Sequence, residues 1–156
     1  MQSAFCKLLS ERLQNVRIIF WDLDGTLGEQ PGWLGSEPIT KYIKKVDEFK
    51  KLLKTLSDHY AIYNVLVSRN GMFCGDEYDT VLSEFYDLGF DEVFSCYRAR
   101  KHSKVYGFAN LFSVLLIDDQ LQECLDAQKD GAMALHIGDY FQKALPSDNF
   151  AILYPK

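Results

Sequence analysis

The sequence predicts a doubly wound α/β domain with a mostly parallel sheet. Three observations carry this expectation. Short apolar runs rich in β-branched and aromatic residues alternate along the chain with stretches of helical period. One of them, Val16–Leu23, is interrupted by Arg17 and Asp22 and is a candidate buried strand. Three of them end abruptly in polar residues: Asp22-Leu23-Asp24-Gly25-Thr26, Ser68-Arg69-Asn70 and Asp118-Asp119.

Residues 3–14 place Phe5, Leu8, Leu9 and Leu13 near one helical face, so residues 1–15 read as an N-terminal helix. Val16–Leu23 reads as a buried strand, broken by Gly25-Thr26. The Gly- and Pro-rich segment 28–38 reads as a flap loop. Thr40–Ser57 carries apolar residues at 43, 46, 49, 52, 53 and 56, one continuous helix with its lysines outside. Tyr60–Val67 is a second strand. Asp76 caps a helix through Leu88, ended by Gly89. Val93–Cys96 is a short strand and Lys104–Leu111 a short helix. Val114–Ile117 is a further strand, Leu121–Lys129 a helix, Ala132–Ile137 a strand, and Ala151–Leu153 a last one. No repeat, low-complexity tract or linker divides residues 1–156, which read as one domain.

Composition narrows the function. The chain is 47% apolar with 25% charged residues, a globular balance that excludes a disordered tail or a fibre. Its net charge of −5 argues against a sequence-independent grip on a nucleic-acid backbone. No apolar run approaches a membrane span. Lys7, Glu11 and Arg12 interrupt what would otherwise be a leader. Cysteines 6, 74, 96 and 124 lack zinc-knuckle spacing, which fits free thiols in a reducing, cytoplasmic compartment.

In such sheets ligands bind beyond the carboxyl ends of the strands, where the three polar clusters fall. Clustered carboxylates repel one another unless a cation joins them, and oxygen ligands of this kind suit Mg²⁺ with a substrate phosphate. Basic and hydroxyl groups nearby can hold phosphate oxygens, while one carboxylate attacks phosphorus and another moves a proton. The competing readings are local. Asp22-Leu23-Asp24-Gly25 does not fit a calcium loop, because Gly follows the second Asp directly and a strand precedes it. Ser68 alone reads equally as a helix cap. Arg100 and Lys101 compete with Lys104 as the phosphate cation. Glu123 lies one turn beyond Asp119 and reads as a holder of metal-bound water or as a solvated helix residue. His59, His102 and His136 show no ligand spacing. Trp33 in the flap reads as a substrate contact or a loop anchor.

Ile18–Leu27 resembles motif I of the haloacid dehalogenase-like (HAD) phosphohydrolases. Val65–Asn70 resembles their motif II, Lys104 their motif III, and Val114–Asp119 their motif IV. Together the four cover residues 16 to about 137 in the family's order. The Ser68-Arg69 pair, Ser103-Lys104-Val105 with Phe108, and Asp118-Asp119 are most similar to the small capless magnesium-dependent phosphatases. Gly25 stands where that group tends to carry Tyr.

The resemblance implies a Mg²⁺-dependent phosphomonoester phosphatase acting through an aspartyl-phosphate. Asp22 would be the nucleophile, Asp24 the general acid and base, and Lys104 the cation paired with Asp22 and phosphate. Thr26, Ser68, Arg69, Asn70 and Lys104 would contact substrate. Asp22, the Asp24 carbonyl and Asp119, with Asp118 beside them, would hold the metal; the Gly-Asp form of motif IV favours Asp119 over Asp118. The intervals between motifs leave no room for a cap domain. An open site would admit a bulky phosphorylated substrate or use a partner subunit of a homo-oligomer as its lid. Two alternatives stand beside this: a HAD-like binding or regulatory protein without turnover, and a phosphatase of phosphoprotein or nucleic-acid 3′ phosphate.

Overall fold

The computed structural model describes residues 2–29, 32–33, 37–70, 78–95, 105, 107–138, 140–144 and 151–153. Their elements run α1 (Gln2–Glu11), β1 (Ile18–Trp21), α2 (Ile39–Tyr42), α3 (Val46–Tyr60), β2 (Tyr63–Ser68), α4 (Tyr78–Leu88), β3 (Glu92–Ser95), β4 (Val114–Asp118), α5 (Leu121–Lys129), β5 (Met133–His136), α6 (Phe141–Ala144) and β6 (Ala151–Leu153). Residues 107–109 are also helical. No helix among the described residues is long and apolar enough to cross a membrane.

The six strands form one mixed sheet in the order β3-β2-β1-β4-β5-β6. The first five are mutually parallel and β6 runs antiparallel to β5. The strand order reverses direction at β1, so the gap between β1 and β4 is the topological switch point of the sheet. Ile18–Trp21 and Val114–Asp118 are buried throughout, which explains the unbroken apolar sequence of 18–21 and 114–117.

β1 alternates between two cores. Ile19 and Trp21 join the larger one, with Phe5, Leu8, Leu9 and Leu13 of the N-terminal segment, Phe49 and Leu53 of α3 and Phe85 of α4. Ile18 and Phe20 join the smaller one, with Val105 and Ala127. The residue before Asp22 is therefore held hard. The Trp21 ring meets Phe5, Phe49 and Phe141 edge-on at 5.9, 5.1 and 4.8 Å. Its Nε1–H donates to Asn64 Oδ1 at 3.1 Å. Edge-on aromatic pairs contribute about 0.5–1.5 kcal/mol each beyond area burial. The N-terminal helix is thus part of the core beneath the strand that carries Asp22.

The expected continuous helix over Thr40–Ser57 is corrected to two. α2 ends at Tyr42, Ile43 is extended, and Lys45 takes a left-handed φ of 51° before α3 begins. The break turns the chain so that Lys44 N–H bonds Leu27 O at 2.9 Å, while Ile43 stays buried on the apolar face. α3 runs on to Tyr60 and ends at a left-handed Ala61, which moves the start of β2 to Tyr63. α6 was not expected from the sequence. It seats Phe141 against Phe5 and Trp21 and sends the Phe141 N–H to Thr26 O at 2.6 Å. Asp76, Cys74, Cys96 and His102, and the start of the expected 104–111 helix, lie outside the described residues.

Candidate functional site

Register alone brings two of the aspartates together. Trp21 pairs with Ile117 across β1 and β4, so Asp22, the residue after β1, falls beside Asp118, the last residue of β4. Asp22 N–H continues the ladder to Ile117 O at 3.0 Å. Asp119 follows at once. Carboxylate oxygens of Asp22, Asp118 and Asp119 all lie within 4.8 Å of one another. Asp118 is fully buried and Asp22 nearly so.

A tight turn after β1 closes the cluster from one side. Gly25 takes a φ of 83°, Thr26 N–H and Leu27 N–H return to Leu23 O, and Gly25 N–H bonds Gly28 O at 2.8 Å. The turn drives Thr26 inward. Its hydroxyl donates to Asp22 Oδ2 at 2.7 Å and lies 3.5 Å from Asp119 Oδ1. Asp118 Oδ1 accepts the Gln120 N–H at 2.9 Å, and Gln120 Nε2 approaches Asp119 Oδ2 at 3.3 Å. His136, opposite Asp118 in the β4–β5 register, sets its Nε2 3.1 Å from Asp119 O.

Burial first, and then the nearby Asp22 carboxylate, push the Asp119 carboxyl up from 3.8 to about 6. Among the described residues, these three acidic side chains form an oxygen-only donor set. The chemistry fits a hard divalent cation, whose charge would relieve the repulsion that raises Asp119.

Asp24 lies outside this trio. Its Oδ1 accepts the Trp33 N–H and the Tyr42 O–H, each at 2.8 Å, and its Oδ2 accepts Asn70 Nδ2 at 2.9 Å. Asn70 Nδ2 also reaches Trp33 O at 2.8 Å, so Asp24 and Asn70 together grip the backbone of one flap residue. Gly32 permits this approach. It has a φ of 109°, and a Cβ there would sit 3.2 Å from the Asp24 carboxylate.

The other expected site residues are placed as follows. Ser68 ends β2, is buried, and its Oγ accepts the Asn70 N–H at 3.1 Å. Arg69 Nη1 lies 3.6 Å from Glu123 Oε1. Glu123 Oε2 is buried and has no hydrogen-bond partner among the described residues, so Glu123 is not a solvated helix residue. Asn70 spends its side-chain amide on Asp24 and Trp33. Trp33 is buried, donates its Nε1–H to Glu37 O at 3.0 Å and meets Phe85 edge-on; it is a loop anchor. Lys104, with Arg100, Lys101 and Ser103, lies outside the described residues. Cys6 is a free thiol, and the buried Cys124 directs its Sγ–H to Asp118 O at 3.8 Å.

Sequence reading missed Tyr42 and His136. Tyr42 lies just before the helix break, and the break is what aims it; no spacing in the sequence marks that turn. Comparison of the chain with protein-family models and with curated proteins finds no match.

Proposed function

We propose that this chain is a Mg²⁺-dependent phosphomonoester phosphatase of the capless HAD-like kind, acting through an aspartyl-phosphate. The observation that carries the reading is the carboxylate trio of Asp22, Asp118 and Asp119 at the switch point of a mostly parallel sheet. Asp22, Asp119 and the Asp24 carbonyl would hold the cation, with Asp118 behind them. When bound, it would neutralise phosphate charge and favour approach of an anionic substrate to an anionic nucleophile.

Asp22 attacks phosphorus, forming a new O–P bond as the bond to the leaving oxygen breaks. Asp24 delivers a proton to that oxygen, then takes one from the water that hydrolyses the phospho-aspartate. Lys104, Ser68 and Arg69 take the remaining phosphate oxygens. α2 and α3 occupy much of the chain between Asp22 and Ser68, and α4 with β3 much of that between Ser68 and Lys104. This supports an open site that admits a bulky phosphorylated substrate, with a protein or metabolite phosphate favoured over a nucleic-acid one by the acidic charge.

The test is a panel of phosphorylated metabolites, phosphopeptides and 3′-phosphorylated oligonucleotides assayed with Mg²⁺ and with chelator. Hydrolysis should require the cation, and Asp22→Asn should abolish it while leaving the fold intact. Full activity in excess chelator, or in pure Asp22→Asn protein, overturns the mechanism.

A further inference from the structure

We infer that Tyr42 is a positioning residue for Asp24, holding its carboxylate in place and handing its own hydroxyl hydrogen to Glu29 O when Asp24 moves. The inference deepens the phosphatase reading and rests on it for the role of Asp24.

Three donors converge on Asp24, and they differ in kind. The Trp33 N–H belongs to the flap. The Asn70 amide is tied to the flap as well, through its bond to Trp33 O. Tyr42 comes from a different part of the chain. It stands at the end of α2, almost fully buried, next to the Lys44 N–H bond to Leu27 O. Its ring lies flush against Gly28, where an added Cβ would collide with Cζ. The ring therefore has a fixed seat, and the hydroxyl a fixed position over Asp24.

That hydroxyl has one hydrogen and two acceptors in reach, Asp24 Oδ1 at 2.8 Å and Glu29 O at 3.1 Å. A buried donor left without an acceptor is costly, which would ordinarily oppose any movement of Asp24 toward a substrate. Here the hydrogen swings to Glu29 O and stays bonded. At this bond the arrangement holds Asp24 in place and lets it go without orphaning the donor, as a group that must serve first as acid and then as base requires.

Tyr42→Phe in the full-length chain keeps the ring against Gly28 and deletes the hydroxyl. Its kcat on an alkyl phosphate should fall about tenfold to a hundredfold, with KM little changed, as expected for a misplaced proton carrier. The burst of phosphoenzyme formed from an activated aryl phosphate, whose leaving group needs no proton, should keep its rate. In an Asp24→Asn background the same substitution should add almost nothing. An unchanged kcat on the alkyl phosphate, equal losses on both substrates, or fully additive losses in the double variant each overturn the inference.

A second readout does not depend on activity. Asp24 also accepts the Trp33 N–H, so in Tyr42→Phe the Trp33 amide resonance should shift and exchange faster, and in wild type it should be protected. A Trp33 amide unaffected by Tyr42→Phe overturns the tether. A shifted Trp33 amide in a protein that hydrolyses no phosphate ester supports the tether and sinks the phosphatase reading instead.

Discussion

Thr26 donates its hydroxyl to Asp22 Oδ2 at 2.7 Å, and both side chains are buried. The same hydroxyl lies 3.5 Å from Asp119 Oδ1, so one neutral group sits between two acids of the cluster. Thr26→Val keeps the shape and removes the donor. Losing a buried hydrogen-bond partner of a carboxylate costs about 1–3 kcal/mol, and the variant should be destabilised by that order in chelator. The deficit should narrow when a divalent cation is added, because the cation then satisfies the same oxygens. Denaturant titrations of wild type, Thr26→Val and Thr26→Ser check this. Equal stability of all three in chelator would show that the hydroxyl contributes nothing.

Asp119 gives a pH dependence whose sign follows from its raised carboxyl. The unfolded chain loses this proton near 3.8 and the folded one near about 6. Between those values the folded state binds more protons, so its stability falls as pH rises and levels off above the folded value. Asp119 is partly exposed, and solvent reduces the size of the effect. In chelator, Tm should decline across this interval, Asp119→Asn should flatten the decline, and the variant should be the more stable protein above pH 6. A Tm that climbs through the interval in wild type, with the same slope in Asp119→Asn, would refute the assignment.

Asp24→Asn removes the proton carrier and leaves Asp22 intact. On substrates with poor leaving groups the loss should be about 10²–10⁴ in rate. Phosphoenzyme should accumulate with an activated aryl phosphate, because the water that hydrolyses it has lost its base. Rapid-quench mass spectrometry should find the added phosphate on the peptide containing Asp22. Phosphate on Ser68 instead, or an undiminished rate on alkyl phosphates, would reverse the roles given to the two aspartates.

Much of the scaffold was readable in advance because it is written locally. β1 and β4 are unbroken apolar runs, and a parallel strand buried on both faces has no other signature. The three clusters of polar residues follow strands, and strand ends in such a sheet are where side chains converge. What escaped depends on turns that the apolar period does not register. Ile43 keeps its place on the buried face although the helix breaks around it, so the periodicity ran straight through the break. The aim of Tyr42 went with it. Asn70 is a similar case. Its bonds to Asp24 and Trp33 join partners far away in the chain, which its place beside Ser68 and Arg69 does not announce.

The pairing of Ile18 with Val114 has a consequence for how the protein assembles. β1 finds β2 across one helical crossover, but it meets β4 only after most of the chain has been made. Long-range closure of this kind is the slow part of folding. Its last step also presses Asp22 against Asp118 and Asp119, three like-charged groups with no earlier contact. A ribosome-bound or truncated chain that stops before β4 therefore has half a sheet and only Asp22 of the acidic cluster. Divalent cation in the refolding buffer should quicken the final closure while leaving earlier collapse untouched.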